Sequence, residues 1–116
     1  ERNVLYFIWK EPWMTVSQDT YISRFLSLAN WRTQCHDPTT RYPEVDITPG
    51  LLSRTDLVLF SSEPYAFTPS DTDDFRATFP CSEARLLPID GEMTSWYGSR
   101  AIKGARYLQQ LAESVV

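Results

Sequence analysis

Side chains that could carry out catalysis are few in this 116-residue sequence, and they are spread along it. A nucleophile needs an activating base, and the only histidine, His36, has Cys35 as its one neighbouring candidate. Adjacent residues on a strand point to opposite faces, so this pair does not form a catalytic arrangement. One histidine and two distant cysteines also lack the spacing of a zinc site, and the four glycines form no phosphate-binding loop. The sequence therefore predicts a protein that is not an enzyme and has no cofactor.

The aromatic residues are the more informative group, because they cluster in segments that follow predicted strands. These segments are residues 9–14, 41–44, 62–65 and 90–98. In a parallel sheet, ligands bind beyond the carboxyl ends of the strands. Rings in such loops either pack back on the domain or cover a ligand or a partner. For the set as a whole we favour a shared binding surface.

The elements that must position these loops follow from the pattern of apolar residues. Four strands are predicted, at residues 4–9, 32–36, 57–60 and 84–89. Four helices are predicted, at residues 21–29, 46–55, 71–79 and from Ser95 or Ser99 onward. Because strands and helices alternate, we expect an α/β fold, a three-layer αβα lobe with a short, mostly parallel sheet of about four strands.

Cap residues mark where several of these helices begin. Asp19 or Thr20 is the expected cap of the first helix, Thr48 precedes Pro49 at the second, and Ser70 is expected to cap the third. The inner face of the last helix is predicted to carry Ile102, Ala105, Leu108 and Ala112.

Composition limits the classes of function. Hydrophobic residues make up 42% and charged residues 22%, as in folded globular domains. The net charge of -4 argues against a nucleic-acid-binding surface. The longest apolar run, residues 4–9, is too short to cross a bilayer. Since the chain starts at a strand without a methionine, we expect it to be part of a longer protein. Cys35 and Cys81 form either one disulfide or two buried thiols.

The order of the aromatic segments resembles a known family. The matching motifs are IWKEPWM at 8–14, RYPEV at 41–45, SSEPY at 61–65 and DGEMTSWYGSR at 90–100. In these motifs the chain resembles the C-terminal lobe of the helical-backbone periplasmic binding proteins, the cobalamin and iron-siderophore receptors, and is most similar to cobalamin-binding-like members. Where relatives carry a glycine pair after the first helix, this chain has Asn30 and Trp31. Asn30 can still adopt the left-handed conformation that ends a helix.

The resemblance implies that residues 1–116 are a single lobe of a two-lobed solute-binding protein of an ABC importer. Such proteins hold a corrinoid, haem or a ferric siderophore in the cleft between the lobes and deliver it to a membrane permease. The implied partners are the small-molecule ligand, an N-terminal lobe of the same protein and the permease, with no nucleic acid. The implied location is the periplasm or the outer side of the cytoplasmic membrane, with any membrane contact through the permease or an anchor outside this chain.

The resemblance also implies a set of ligand-binding residues: Trp9, Lys10, Trp13, Arg41, Tyr42, Glu63, Tyr65, Trp96 and Tyr97. Aromatic rings suit a broad, mostly apolar ligand, since they bury large areas with few rotatable bonds. Lys10 and Arg41 are expected to contact anionic groups on the ligand, and Glu92 is expected to dock on the permease.

Two other functions stay open on the sequence alone. The aromatic loops of a protein-interaction module would contact another polypeptide. An α/β hydrolytic enzyme fragment would use paired carboxylates from the same loops, among them Glu11, Glu44, Glu63 and Glu92.

Overall fold

A computed structural model describes residues 2–34, 39–62, 65–80, 83–91 and 99–114, with the backbone alone described for 99–105. Its strands are β1 Arg2–Phe7, β2 Trp31–Thr33, β3 Leu57–Ser61 and β4 Arg85–Ile89. Its helices are α1 Tyr21–Leu26, a 3-10 turn at Ser27–Ala29, α2 Pro49–Ser53, α3 Pro69–Thr78 and α4 Ser99–Ser114. The four strands form one parallel sheet in the order β2-β1-β3-β4. No helix in the described part of the chain is long and apolar enough to span a membrane.

The central pair, β1 and β3, forms because both runs are apolar without alternation, which suits strands buried on both faces. Val4 pairs with Leu57 at one end of the described register and Phe7 pairs with Phe60 at the other. All four of these side chains are buried. The middle of the sheet therefore forms the centre of the core.

Alternate side chains of the sheet divide the core between its two faces. On one face Tyr6 and Leu59 pack with Phe25 of α1 and Leu108 of α4. The opposite face carries a second cluster, in which Leu5, Phe7, Val58 and Phe60 pack with Leu51 and Leu52 of α2 and Phe75 of α3. Helices thus cover both faces, and the predicted three-layer αβα lobe is confirmed.

Two of the predicted helix caps are found and one is wrong. The Thr20 and Thr48 hydroxyls accept backbone N–H groups at the starts of α1 and α2, both at 3.1 Å. Thr68, rather than Ser70, caps α3, and the Asp71 carboxylate accepts the Thr68 backbone N–H at 2.8 Å. Because Pro69 has no N–H to lose, the helix begins there, two residues earlier than Ser70 would allow.

The strand predicted at 32–36 is observed earlier, at Trp31–Thr33, and residues 35 and 36 lie outside the described part of the chain. The reason is Trp31, whose ring is buried in the core cluster below α1. Asn30 before it has a φ of 62°, the left-handed conformation expected of it, and its carbonyl oxygen accepts the Arg2 N–H at 3.1 Å. The tight turn thus sets where β2 begins.

The last strand, β4, is an edge of the sheet and contains Pro88. The Arg85 N–H donates to the Asp56 carbonyl at 3.0 Å on the β3 side. Because successive N–H positions alternate sides along a strand, the Pro88 nitrogen faces the open side. Proline is tolerated there, since no ladder bond to β3 is lost.

Candidate functional site

The order of the strands places a topological switch point between β1 and β3, at the carboxyl edge of the sheet. The chain runs from β1 to β2 over the α1 face, then returns to β3 through α2 on the other face. The helices that follow β1 and β3, α1 and α3, therefore lie on opposite faces of the sheet. Ligands of open α/β sheets bind at this kind of switch point, beyond the carboxyl ends of the strands.

Two predicted site residues meet at that switch point. Trp9 follows β1 and Tyr65 follows β3, and their rings lie edge to face with centroids 5.3 Å apart. The Tyr65 backbone N–H donates to the Ile8 carbonyl at 3.3 Å, which joins the two loops. Trp9 is 40% exposed although its ring is large and apolar. The pair presents aromatic surface to solvent where the fold favours a ligand.

A second predicted segment is hydrogen-bonded to the loop after β1. Met14 bridges to both Trp9 and Glu44 in antiparallel fashion. The Ser17 N–H donates to the Arg41 carbonyl at 2.8 Å, which continues the pairing. This pairing places Arg41 and Tyr42 at the same edge of the sheet as Trp9. Both side chains are exposed, Tyr42 to 47%.

Trp13, in contrast, is packed into the domain. Its ring lies 4.6 Å from Phe7, is parallel to Phe67 at 6.1 Å and meets Phe75 edge to face at 5.6 Å, all measured between centroids. These partners belong to the core cluster on the α3 face. The ring anchors the loop that carries Trp9.

Lys10 also holds this loop in place. Its ammonium lies 3.1 Å from the Asp71 carboxylate and 3.9 Å from that of Asp74, both on α3. The hydrogen bond to Asp71 raises the pKa of Lys10 above its ordinary value. The Thr68 backbone N–H, and then Lys10, lower the pKa of Asp71. An anionic ligand would have to compete with these carboxylates for the ammonium.

The exits of β3 and β4 are joined to each other. The Ser62 N–H donates to the Ile89 carbonyl at 3.1 Å, and the Gly91 N–H donates to the Ser62 hydroxyl at 3.0 Å. The Asp90 N–H donates to the Tyr107 hydroxyl of α4 at 2.9 Å. These bonds orient the start of the loop that leads to the last predicted site residues.

Several predicted residues lie outside the described part of the chain. They are Glu63, Trp96 and Tyr97 of the ligand set and the docking residue Glu92, together with Cys35, His36 and Cys81. Their roles stay predictions.

Arg24 is a residue that the sequence reasoning missed. It lies on α1 and shares a cavity of about 300 Å³ with Arg41 and Tyr42. The sequence could have indicated Arg24, because it lies one turn after the Thr20 cap. A helix that begins there starts at the carboxyl edge of the sheet, so its first turn lies near the loop after β1.

A larger cavity, of about 590 Å³, lies at the opposite edge of the sheet. Arg2 and Asp56, at the amino ends of β1 and β3, line it together with Leu52 and Phe79. Size alone favours this cavity, but the strand topology and the exposed aromatic pair both point to the carboxyl edge. We therefore place the candidate site at the carboxyl edge.

Comparison with known proteins gives structural neighbours alone. No family model matches the sequence, and no curated protein matches it significantly. Solved structures match with high probability and with TM-scores of 0.62 to 0.71, at 14 to 17% identity. At such identity the likeness shows a shared fold.

Three of these structures are bacterial binding proteins. The periplasmic vitamin B12 binding protein BtuF of Vibrio cholerae is 16% identical with a TM-score of 0.62, and the match covers 97% of this chain. An ABC transporter substrate-binding protein of Listeria monocytogenes is 17% identical with a TM-score of 0.71 over 95% of the chain. A possible iron-binding, periplasmic solute-binding protein of Staphylococcus epidermidis is 14% identical with a TM-score of 0.69 over 99%.

The lengths of these matches are informative. This chain covers 45%, 46% and 45% of the three structures, respectively. It therefore spans slightly less than half of each neighbour, and it has the fold of one part of such a binding protein.

Proposed function

We propose that residues 1–116 form the C-terminal lobe of a two-lobed solute-binding protein of an ABC importer. The protein captures a corrinoid, haem or a ferric siderophore between its lobes and delivers it to a membrane permease. The observation that carries this proposal is the exposed Trp9–Tyr65 pair at the switch point of the sheet. The fold shared with binding proteins that are roughly twice as long supports it.

Trp9, Tyr65 and Tyr42 form an aromatic rim at the carboxyl edge of the sheet, and we propose that it binds a broad, largely apolar ligand. A pair of rings held by backbone hydrogen bonds offers apolar area at little entropic cost, because each ring has few rotatable bonds. A broad macrocycle or chelate gains from such a surface when a second lobe covers its other side. A single lobe would leave most of that ligand in water. We therefore assign ligand binding to the complete protein.

Individual residues take different roles in this proposal. Trp9, Tyr65 and Tyr42 contact the apolar part of the ligand, and Arg41 contacts an anionic group. The resemblance alone adds three further residues to the rim, namely Glu63, Trp96 and Tyr97. Lys10 and Trp13 position the loop of Trp9, since the first is paired with Asp71 and the second is packed on Phe67.

Binding is tested on the full-length protein that contains this chain. Intrinsic tryptophan fluorescence is titrated with cyanocobalamin, haemin and a panel of ferric siderophores, and a saturable change with one of them is expected. Trp9→Phe should reduce that change, whereas Trp31→Phe should retain it, because Trp31 is buried against α1 at the amino end of β2, away from the carboxyl edge of the sheet. A flat response to every compound would count heavily against the proposal.

Delivery to a permease is a separate part of the proposal. Glu92 docks the lobe on the permease, and the protein works in the periplasm or on the outer side of the cytoplasmic membrane. Glu92→Gln should lower ligand uptake by cells while the affinity of the purified protein stays the same. Equal uptake by variant and wild type would remove this role from Glu92, and recovery of the protein in the cytoplasmic fraction would contradict the location.

A further inference from the structure

Two arginines from separate segments line one cavity at the carboxyl edge of the sheet. Arg24 lies on α1 and Arg41 lies in the segment paired with Ser17, and both border the cavity of about 300 Å³. Both side chains are exposed. The rings of Tyr21 and Tyr42 form other parts of the wall. The cavity thus combines positive charge with aromatic surface.

The charges of this cavity do not cancel. Asp19 is the single carboxylate among the residues that line it, against the two guanidinium groups. Arg24 donates from Nη1 to the Asp19 backbone carbonyl at 2.7 Å, which orients that guanidinium and leaves it further N–H donors. No described residue makes a hydrogen bond or ion pair with the Arg41 guanidinium. The cavity therefore offers oriented donors and a net positive charge.

Lys10 does not take part in this charge. Its ammonium is held by Asp71 and Asp74, which belong to α3 on the opposite face of the sheet from α1. An anionic group approaching the rim therefore meets uncompensated positive charge on the α1 side. The positive charge at this edge of the sheet is therefore asymmetric, with its excess on the α1 side.

Resting on the proposed function, we infer that the ligand carries a carboxylate which enters the cavity between Arg24 and Arg41. A guanidinium presents a planar fork of N–H donors that matches a carboxylate in two parallel hydrogen bonds. The volume is at the lower end of the range for whole-ligand pockets, so it receives a substituent while the rings of Trp9 and Tyr65 hold the body of the ligand.

The test uses the full-length protein and pairs of ligands with and without free carboxylates. Haemin is compared with its dimethyl ester, and a cyanocobalamin monocarboxylate is compared with cyanocobalamin. Ferric citrate and an uncharged ferric trihydroxamate extend the test to siderophore-type chelates. The carboxylate member of the pair that binds should bind about tenfold or more tightly than its uncharged partner. This preference should shrink as salt is raised, because the arginines are exposed.

Matched variants connect the preference to the two arginines. Arg41→Gln and Arg24→Gln should each weaken binding of the carboxylate ligand by about tenfold and change binding of the uncharged partner less than about twofold. Arg54→Gln is the control, because Arg54 is an exposed arginine at the end of α2, next to the amino end of β3. It should leave both affinities unchanged. Circular dichroism and thermal unfolding confirm that the variants are folded.

Two kinds of outcome would overturn the inference, and they are distinguishable. If an uncharged ligand binds as well as its carboxylate partner, or if Arg41→Gln and Arg24→Gln leave the preference intact, the carboxylate site is wrong while the solute-binding function stands. If no probe binds at all, the proposed function fails and the inference fails with it.

Discussion

The indole of Trp9 and the phenol ring of Tyr65 contact each other edge to face across the two central strands of the sheet, at a centroid separation of 5.3 Å. Each ring comes from a loop whose path is set by its own strand, and a backbone hydrogen bond from Tyr65 to Ile8 joins the loops. The pair is therefore preorganised, and under the proposed function this lowers the entropic cost of ligand binding.

Replacing Trp9 should separate ligand binding from stability. Because the ring is 40% exposed, Trp9→Ala should lower the free energy of unfolding by less than about 1 kcal/mol. The same change should weaken ligand binding by about tenfold or more, as expected of an aromatic anchor. Urea unfolding and ligand titration of the full-length protein measure the two effects. A large stability loss with unchanged affinity would reverse the assignment.

Replacing Trp13 should have the opposite balance. Its ring contacts Phe7, Phe67 and Phe75, so Trp13→Ala leaves a cavity in the core and should cost about 3 kcal/mol. Trp13→Phe should recover part of this stability, since an aromatic ring remains in place. Urea unfolding of both variants is the measurement. A cost near that of Trp9→Ala would show that the ring does not hold the loop.

Asp71 should make stability depend on acid pH. Its folded pKa lies below the usual 3.8 because of the Thr68 N–H and Lys10, so the folded state binds fewer protons in this range than the unfolded state does. Its contribution is present above pH 3.8 and is lost as the pH falls through the folded value. Asp71→Asn should therefore lower stability by about 1 kcal/mol at pH 7 and by less near pH 3.

Unfolding by urea at several pH values tests this prediction. Asp73→Asn is the matched control, because Asp73 is an exposed carboxylate of the same helix. The control should keep the acid response of the wild type. If Asp71→Asn kept that response as well, the ion pair and cap would not be the cause.

Asn30 should be sensitive to the shape of its side chain. At a φ of 62°, Asn30→Ala introduces a side chain that disfavours the left-handed conformation, and we expect a loss of about 1 kcal/mol. Asn30→Gly has no such penalty and should be close to the wild type. Thermal unfolding of the two variants checks this, and equal stability of the alanine and glycine variants would contradict it.

The centre of the fold was predictable because its signals are local. The apolar runs around Val4 and Leu57 identify strands buried on both faces, and Thr20 and Thr48 mark helix starts through their own hydroxyls. The predicted run at 4–9 extends past the observed end of β1 at Phe7, because Trp9 turns away to bridge with Met14. The pattern of apolar residues alone does not predict that turn.

The site was predictable as a set of loops but not residue by residue. Trp9 and Trp13 are two tryptophans of the same loop. Trp13 turns inward because it packs on Phe67 and Phe75, whereas Trp9 contacts Tyr65 and stays exposed. Lys10 is similar, since its partner Asp71 is remote in sequence. Arg24 lines the cavity with Arg41 because of where α1 lies in the fold. Each outcome depends on tertiary contacts, which a sequence pattern does not encode.

Pro88 determines what the outer side of β4 can accept. A strand from another molecule that aligned there would find no amide proton at that position, so continuous pairing would be interrupted. Stacking of copies into an extended ribbon is therefore disfavoured along this border. Association on that side is therefore favoured through side chains over addition to the main-chain ladder.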